Sequence, residues 1–166
     1  MKTKSKLCLY LADLTHTYIA LANGSFPLGI GYVASALKTI FEDEIELELF
    51  KYPDNLEEAL KKSPPGVYFF SNYMWNQNIN LFYAQKIKEL YPDTLTIAGG
   101  PNFSNDRDDR KKFLEDHPYL DFFIVGEGEI PSCNIIQNYI NVGKNIKKLK
   151  EIDLVSTITL LPDGTM

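Results

Sequence analysis

Four short stretches of the chain carry residue types that plain turns do not require. Gly99-Gly100-Pro101-Asn102 directly follows the apolar run at 94–98. Glycines at the end of a buried strand let the backbone approach a bulky ligand and adopt positive φ, although an ordinary strand-to-loop turn uses them too. Ser71-Asn72-Tyr73-Met74-Trp75-Asn76 follows a second apolar run, at 67–70. Hydroxyl and amide groups beside flat or polarizable side chains suit a wide, planar, partly apolar ligand that bears amides. In the competing reading Tyr73 and Trp75 pack beneath their loop as core. Gly126-Glu127-Gly128-Glu129 sets two carboxylates just before a predicted helix, where the helix dipole favours them with or without a ligand. Asp13 and His16 stand in the loop that follows the first apolar run, 6–12.

Nucleophilic and metal chemistry find little support. The histidines are His16 and His117, the latter next to Pro118 in a charged stretch. His16 has no second histidine or cysteine at ligand spacing, so no metal site and no catalytic residue is assigned. Cys8 and Cys133 lie far apart, without a C-x-x-C pair or a disulfide framework, and both read as small core residues.

The elements that must hold these stretches alternate strand and helix, the pattern of a parallel sheet. Predicted strands cover 6–12, 44–50, 67–70, 94–98 and 122–125. The second alternates Ile45, Leu47 and Leu49 with Glu44, Glu46 and Glu48, as an edge strand would. Ile30, Val33, Ala34, Leu37 and Phe41 form a helical stripe after Pro27. Further helices are expected at 55–62, 79–90, 105–116 and from Glu129 onward. The predicted fold is α/β, a flavodoxin-like (Rossmann-like) doubly wound parallel sheet of five strands in the order 2-1-3-4-5. A short C-terminal β extension is expected at 155–161. In such a sheet ligands bind at the carboxyl ends of the strands, where the four stretches fall.

Composition and loop chemistry exclude several classes. With 17 basic against 22 acidic residues in 166, the net charge of −5 argues against nucleic-acid partners. The apolar run near the N-terminus is too short for a membrane span and lacks a signal-peptide cleavage site, so a cytoplasmic location is expected. A phospho-receiver would need an aspartate where Ser71 stands. A flavodoxin would need a short phosphate loop where residues 13–26 form a long one containing Tyr18, Ile19 and Leu21. Gly29-Ile30-Gly31-Tyr32-Val33-Ala34 matches G-x-G-x-x-A, but inside a predicted helix, and its glycines read as helix-packing residues.

The segments Pro27-Leu28-Gly29-Ile30-Gly31-Tyr32, Gly99-Gly100-Pro101-Asn102 and Asp121-Phe122-Phe123-Ile124-Val125-Gly126-Glu127-Gly128-Glu129 resemble, in order and spacing, the N-terminal cobalamin-binding domain of radical SAM proteins. The resemblance covers nearly the whole chain. It implies a module that holds cobalamin (vitamin B12) over the strand ends for chemistry performed by a C-terminal radical SAM domain. That domain would carry a [4Fe-4S] cluster and use S-adenosylmethionine. Gly99 and Gly100 would admit the nucleotide tail, Ser71, Asn72, Tyr73 and Trp75 would face the corrin, and Asp13 and His16 would form a rim. Pro101, Asn102, Gly126, Glu127, Gly128 and Glu129 complete the implied cofactor-binding set. Mutase-type cobalamin domains carry D-x-H-x-x-G after strand 1, whereas here Asp13-Leu14-Thr15-His16 has the histidine one place late. Cobalamin is therefore expected without a protein histidine ligand. The module is expected to span 6–143, with 144–166 a linker and the start of a hairpin at Pro162-Asp163-Gly164 toward the further domain. A cofactor-free interaction domain of the same fold, or another small-molecule or nucleotide-binding domain, is the alternative.

Overall fold

The computed structural model describes residues 6–17 and 27–166. Tyr18, Ile19 and Leu21 of the predicted long loop lie outside the described residues. The chain alternates as expected. β1 (Leu7–Ala12), α1 (Leu28–Phe41), β2 (Ile45–Phe50), α2 (Pro53–Lys62) and β3 (Val67–Ser71) form the first half. They are followed by α3 (Gln77–Leu90), β4 (Leu95–Gly99), α4 (Arg107–Asp116), β5 (Phe122–Ile124), α5 (Glu129–Asn141), α6 (Ile146–Lys150) and β6 (Thr157–Ile158).

The sheet order is β2-β1-β3-β4-β5-β6. The first five strands are parallel in the expected flavodoxin-like order, with β2 at the edge. The C-terminal extension joins the sheet as a sixth strand, antiparallel to β5 through Phe123↔Ile158 and Ile124↔Thr157. Of the expected stretch 155–161 only two residues pair, because β5 itself offers three residues and Ser156 turns the chain with φ of 59°.

Side chains alternate across a strand, so each strand feeds two cores. Leu9, Leu11, Val67, Phe69, Ile97 and Ile124 face α1 and α5. Tyr10, Ala12, Tyr68, Phe70, Ala98 and Phe123 face α2, α3 and α4. Burial of each large apolar side chain contributes about 1.5–3 kcal/mol. At the amino end of the sheet the buried Asp121 carboxylate accepts from Lys88 Nζ at 2.6 Å and from the Thr96 amide at 3.0 Å, and pairs with Lys150 Nζ at 3.2 Å. Lys150 thereby ties α6 to the sheet, and no residue of this clamp approaches the carboxyl end.

Candidate functional site

The four sequence stretches do meet at the carboxyl end of the sheet, where they build two adjoining regions of different character. The first is a braced junction between β1, β3 and the start of α3. Asp13 Oδ1 accepts from Ser71 Oγ at 2.5 Å and from Asn76 Nδ2 at 2.6 Å. Asn80 Nδ2 donates to the Ser71 carbonyl at 2.8 Å, and Asn76 Oδ1 accepts from the Tyr73 amide at 2.9 Å. One layer over, Asn72 Nδ2 donates to the Asn102 carbonyl at 2.6 Å, the Asn102 amide returns a bond to the Asn72 carbonyl at 3.1 Å, and Asn102 Nδ2 donates to Gln77 Oε1. Burial pushes the Asp13 carboxyl above its ordinary range, against the opposing pull of Ser71, Asn76 and the Lys51 charge. Asp13, Asn72 and Asn102 thus spend hydrogen bonds on neighbouring loops.

The second region is a cleft of about 380 Å³ between the N-terminal ends of α1 and α5. Its floor follows from strand periodicity: Leu11, Phe69 and Ile124 belong to the strand rows that face α1 and α5, with Ile30 and Val33 closing one wall. Gly99 continues the β4 row after Ile97 and is paired opposite Ile124. A Cβ built there would meet Ile124 Cβ at 3.6 Å, ordinary van der Waals contact, so the backbone does not demand glycine and its absent side chain leaves the hollow open. Gly100 is different. Its φ is +124°, and a Cβ would stand 2.8 Å from the Asn72 carbonyl oxygen and 3.0 Å from the Asn72 nitrogen. Both facts tie Gly100 to the braced junction, where no other residue fits without displacing backbone.

The structure divides the predicted site residues accordingly. Ser71, Tyr73, Gly99, Gly100 and Pro101 line the cleft, together with Gly126, Glu127, Gly128 and Glu129. Asp13, His16, Asn72, Trp75 and Asn102 are not among its lining residues. His16 is exposed. Trp75 stacks on Tyr73 with ring centroids 4.7 Å apart and planes 9° from parallel, and it remains 64% exposed beside Met74 at 82%. That exposure removes the reading of Trp75 as core. Glu129 opens α5, so its carboxylate stands in the favourable end of the helix dipole.

Sequence reasoning missed Ile30, Val33 and Ser132 in the cleft wall, and it read Gly29 as a packing residue. Gly29 is exposed at the start of α1, where a Cβ would face the Tyr73 hydroxyl at 3.4 Å. Ser132 is fully buried in the second turn of α5, and its Oγ has no hydrogen-bond partner. A serine directly before Cys133 on a buried helical stripe was the available signal.

Among the described residues no group of three or more His, Cys, Asp or Glu side chains gathers. Burial pushes the Cys8 thiol up to about 11, with Glu46 and Glu48 adding to the effect, and also raises Cys133. Both are thiols at neutral pH and therefore poor ligands and nucleophiles. A broader depression of about 1130 Å³ lies at the amino end of the sheet, edged by Lys88 and Lys150. Asp121 holds the charges of these two lysines, while Lys6, Lys144 and Lys147 also line the depression. No described helix is long and apolar enough to cross a membrane.

No family model matches the chain. It is 41% identical over 66 residues to the cobalamin-dependent radical SAM methyltransferase TokK of Streptomyces tokunonensis, a match that covers 40% of this chain and 9% of that protein. It is 31% identical over 105 residues to the 2-(S-pantetheinyl)-carbapenam-3-carboxylate methyltransferase of Streptantibioticus cattleyicolor, covering 58% of this chain and 15% of that enzyme. The chain therefore matches a small part of each relative's length, and its likeness is to one region of large methyltransferases.

Proposed function

We propose that this chain is the cobalamin-binding module of a radical SAM methyltransferase, with catalysis carried out by a C-terminal domain. The observation that carries the reading is the apolar α1/α5 cleft at the strand ends, with Gly99 leaving its floor open. Its volume sits near the lower bound of small-molecule sites, roughly 300–1,000 Å³. That suits one arm of cobalamin, the nucleotide tail, and not the whole molecule. The corrin would lie over the strand ends, where Tyr73 and Trp75 offer flat faces and Asn72 and Asn102 lie close by. Asp13 and His16 would form the outer rim, with Ser71, Gly100 and Pro101 between rim and cleft. Glu127 and Glu129, flanked by Gly126 and Gly128, can accept hydrogen bonds from hydroxyl or amide groups at the mouth.

Bound cobalamin would supply methyl-transfer chemistry at its cobalt. The residues of this chain would bind it, orient it and exclude water from one face. In this reading 6–143 is the module and 144–166 leads toward the radical SAM domain, which would hold the [4Fe-4S] cluster and S-adenosylmethionine. One observation favours a second reading, a cofactor-free interaction domain: the braced junction satisfies most of its polar groups internally. Titration with hydroxocobalamin followed by gel filtration separates the two. Co-elution of protein and visible absorbance at one corrinoid per chain is expected. Complete separation, repeated with methylcobalamin and cob(II)alamin, would favour the interaction domain.

A further inference from the structure

The depression at the amino end of the sheet carries a charge opposite to that of the chain. Among the described residues five lysines line it, Lys6, Lys88, Lys144, Lys147 and Lys150, against two aspartates, Asp93 and Asp121. The whole chain is acidic, with a net charge of −5. Lys88 and Lys150 share the single Asp121 carboxylate, and Lys6 pairs with Asp43. Lys144 and Lys147 are exposed and form no ion pair among the described residues. No arginine is among the described lining residues, and the helices that follow the parallel strands begin at the other end of the sheet. A small phosphate therefore finds neither a guanidinium fork nor a long helix N-terminus here. Pro64, Pro92, Pro118 and Pro162 stand exposed around the depression. Their fixed φ keeps the rim in one shape, so docking a protein surface against it orders little.

The complement to this surface lies on the same end of the same chain. Glu42, Asp43 and Glu44 follow α1, Glu46 stands on the edge strand β2, and all four are exposed. Glu42, Glu44 and Glu46 form no ion pair among the described residues. In the sheet order β2 and β5 are four strand spacings apart, roughly 19 Å. That is about two Debye lengths at 0.1 M salt. The acidic margin beside β2 and the basic margin around Lys144, Lys147 and Lys150 therefore barely neutralise each other within one chain. A two-fold rotation about an axis near β3, midway between them, sets each acidic margin against the basic margin of a second copy. We propose that the amino end of the sheet is a self-complementary interface through which two copies of this chain form a closed dimer, acidic margin to basic margin, twice. The carboxyl ends of the strands then point away from the second copy and stay free for a ligand. The inference goes beyond the module reading and does not depend on it.

Sedimentation equilibrium of the native chain at about 50 mM sodium chloride tests the proposal. The weight-average mass should climb with concentration toward twice 18.9 kDa and stop there. Raising the salt to about 500 mM should weaken the dimer at least about tenfold. The double variant Lys144→Glu with Lys147→Glu reverses the basic margin, and Glu44→Lys with Glu46→Lys reverses the acidic one. All four positions are exposed, so each variant should melt near the native chain and remain monomeric by itself. Mixed in equal amounts, the two variants should form a one-to-one dimer, because both contacts between margins are then restored. A native chain that stays monomeric up to about 0.5 mM would overturn the proposal, as would a dimer that both variants keep. Variants that fail to recombine, or native assemblies that grow past two copies, would overturn the two-fold arrangement.

Discussion

The braced β1–β3 junction and the α1/α5 cleft adjoin at one end of the sheet, yet they use polar groups differently: the junction bonds most of them to one another, the buried Asn72 Oδ1 excepted, and the cleft has few. At the junction Asp13, Ser71, Asn76 and Asn80 answer one another, and Asn72 answers Asn102. In the cleft a glycine replaces a side chain and Ser132 has no partner. The residues with the most conspicuous chemistry build the support, and the plainer ones leave the space. Gly99 and Gly100 mark the boundary, adjacent in sequence and opposite in role.

Breaking the junction should give the largest effect. Gly100→Val sets a branched side chain at positive φ and against the Asn72 backbone, and it should cost about 3 kcal/mol in denaturant unfolding. A loss below about 1 kcal/mol would mean that the Asn72 backbone yields and that the junction is less rigid than drawn. Asp13→Ala, which strands Ser71 and Asn76, should cost about 2 kcal/mol.

The charge on Asp13 gives a pH signature. Its carboxyl is raised in the folded state, so the folded chain binds this proton more readily than the unfolded chain. The associated stability is present below the unfolded carboxylate value, about 4, and is lost as pH rises through the folded value. Asp13→Asn should flatten that fall and stay within about 1 kcal/mol of the native chain at neutral pH. An unchanged pH profile in the variant would assign the dependence to another group.

The cleft should respond in the opposite sense. Gly99→Val meets only ordinary contacts with Ile124, so its stability change should stay below about 1 kcal/mol. Corrinoid affinity should drop at least about tenfold, equivalent to 1.4 kcal/mol, because the side chain fills the hollow. Equal losses of stability and binding would make Gly99 a turn residue like its neighbour. The smallest effect belongs to His16→Ala. His16 is exposed, so the visible spectrum of bound cobalamin should not move and stability should hold within about 0.5 kcal/mol. A spectral shift would make His16 a cobalt ligand and overturn its place at the rim.

Strand order and the edge position of β2 were legible because continuous apolar runs and an alternating one report burial on two faces or one. The two-residue β6 was overdrawn, since the length of a paired strand depends on its neighbour, here the three-residue β5. At the site, Gly99 through Pro101 and Gly126 through Glu129 were visible as strand-end signals. Asp13, Asn72 and Asn102 were visible too, but a sequence does not say whether an amide faces a ligand or another loop. Ile30, Val33 and Ser132 were hidden because a helical stripe looks the same whether its first turn meets core or empty space.

The central claim is that cobalamin enters between α1 and α5. Hydrogen–deuterium exchange of the chain with and without hydroxocobalamin tests it most directly. Protection is expected at the first turns of α1 and α5 and at the end of β4, with the amino end of the sheet around Asp121 unchanged. Protection confined to that amino end, or none at saturating hydroxocobalamin, would contradict it.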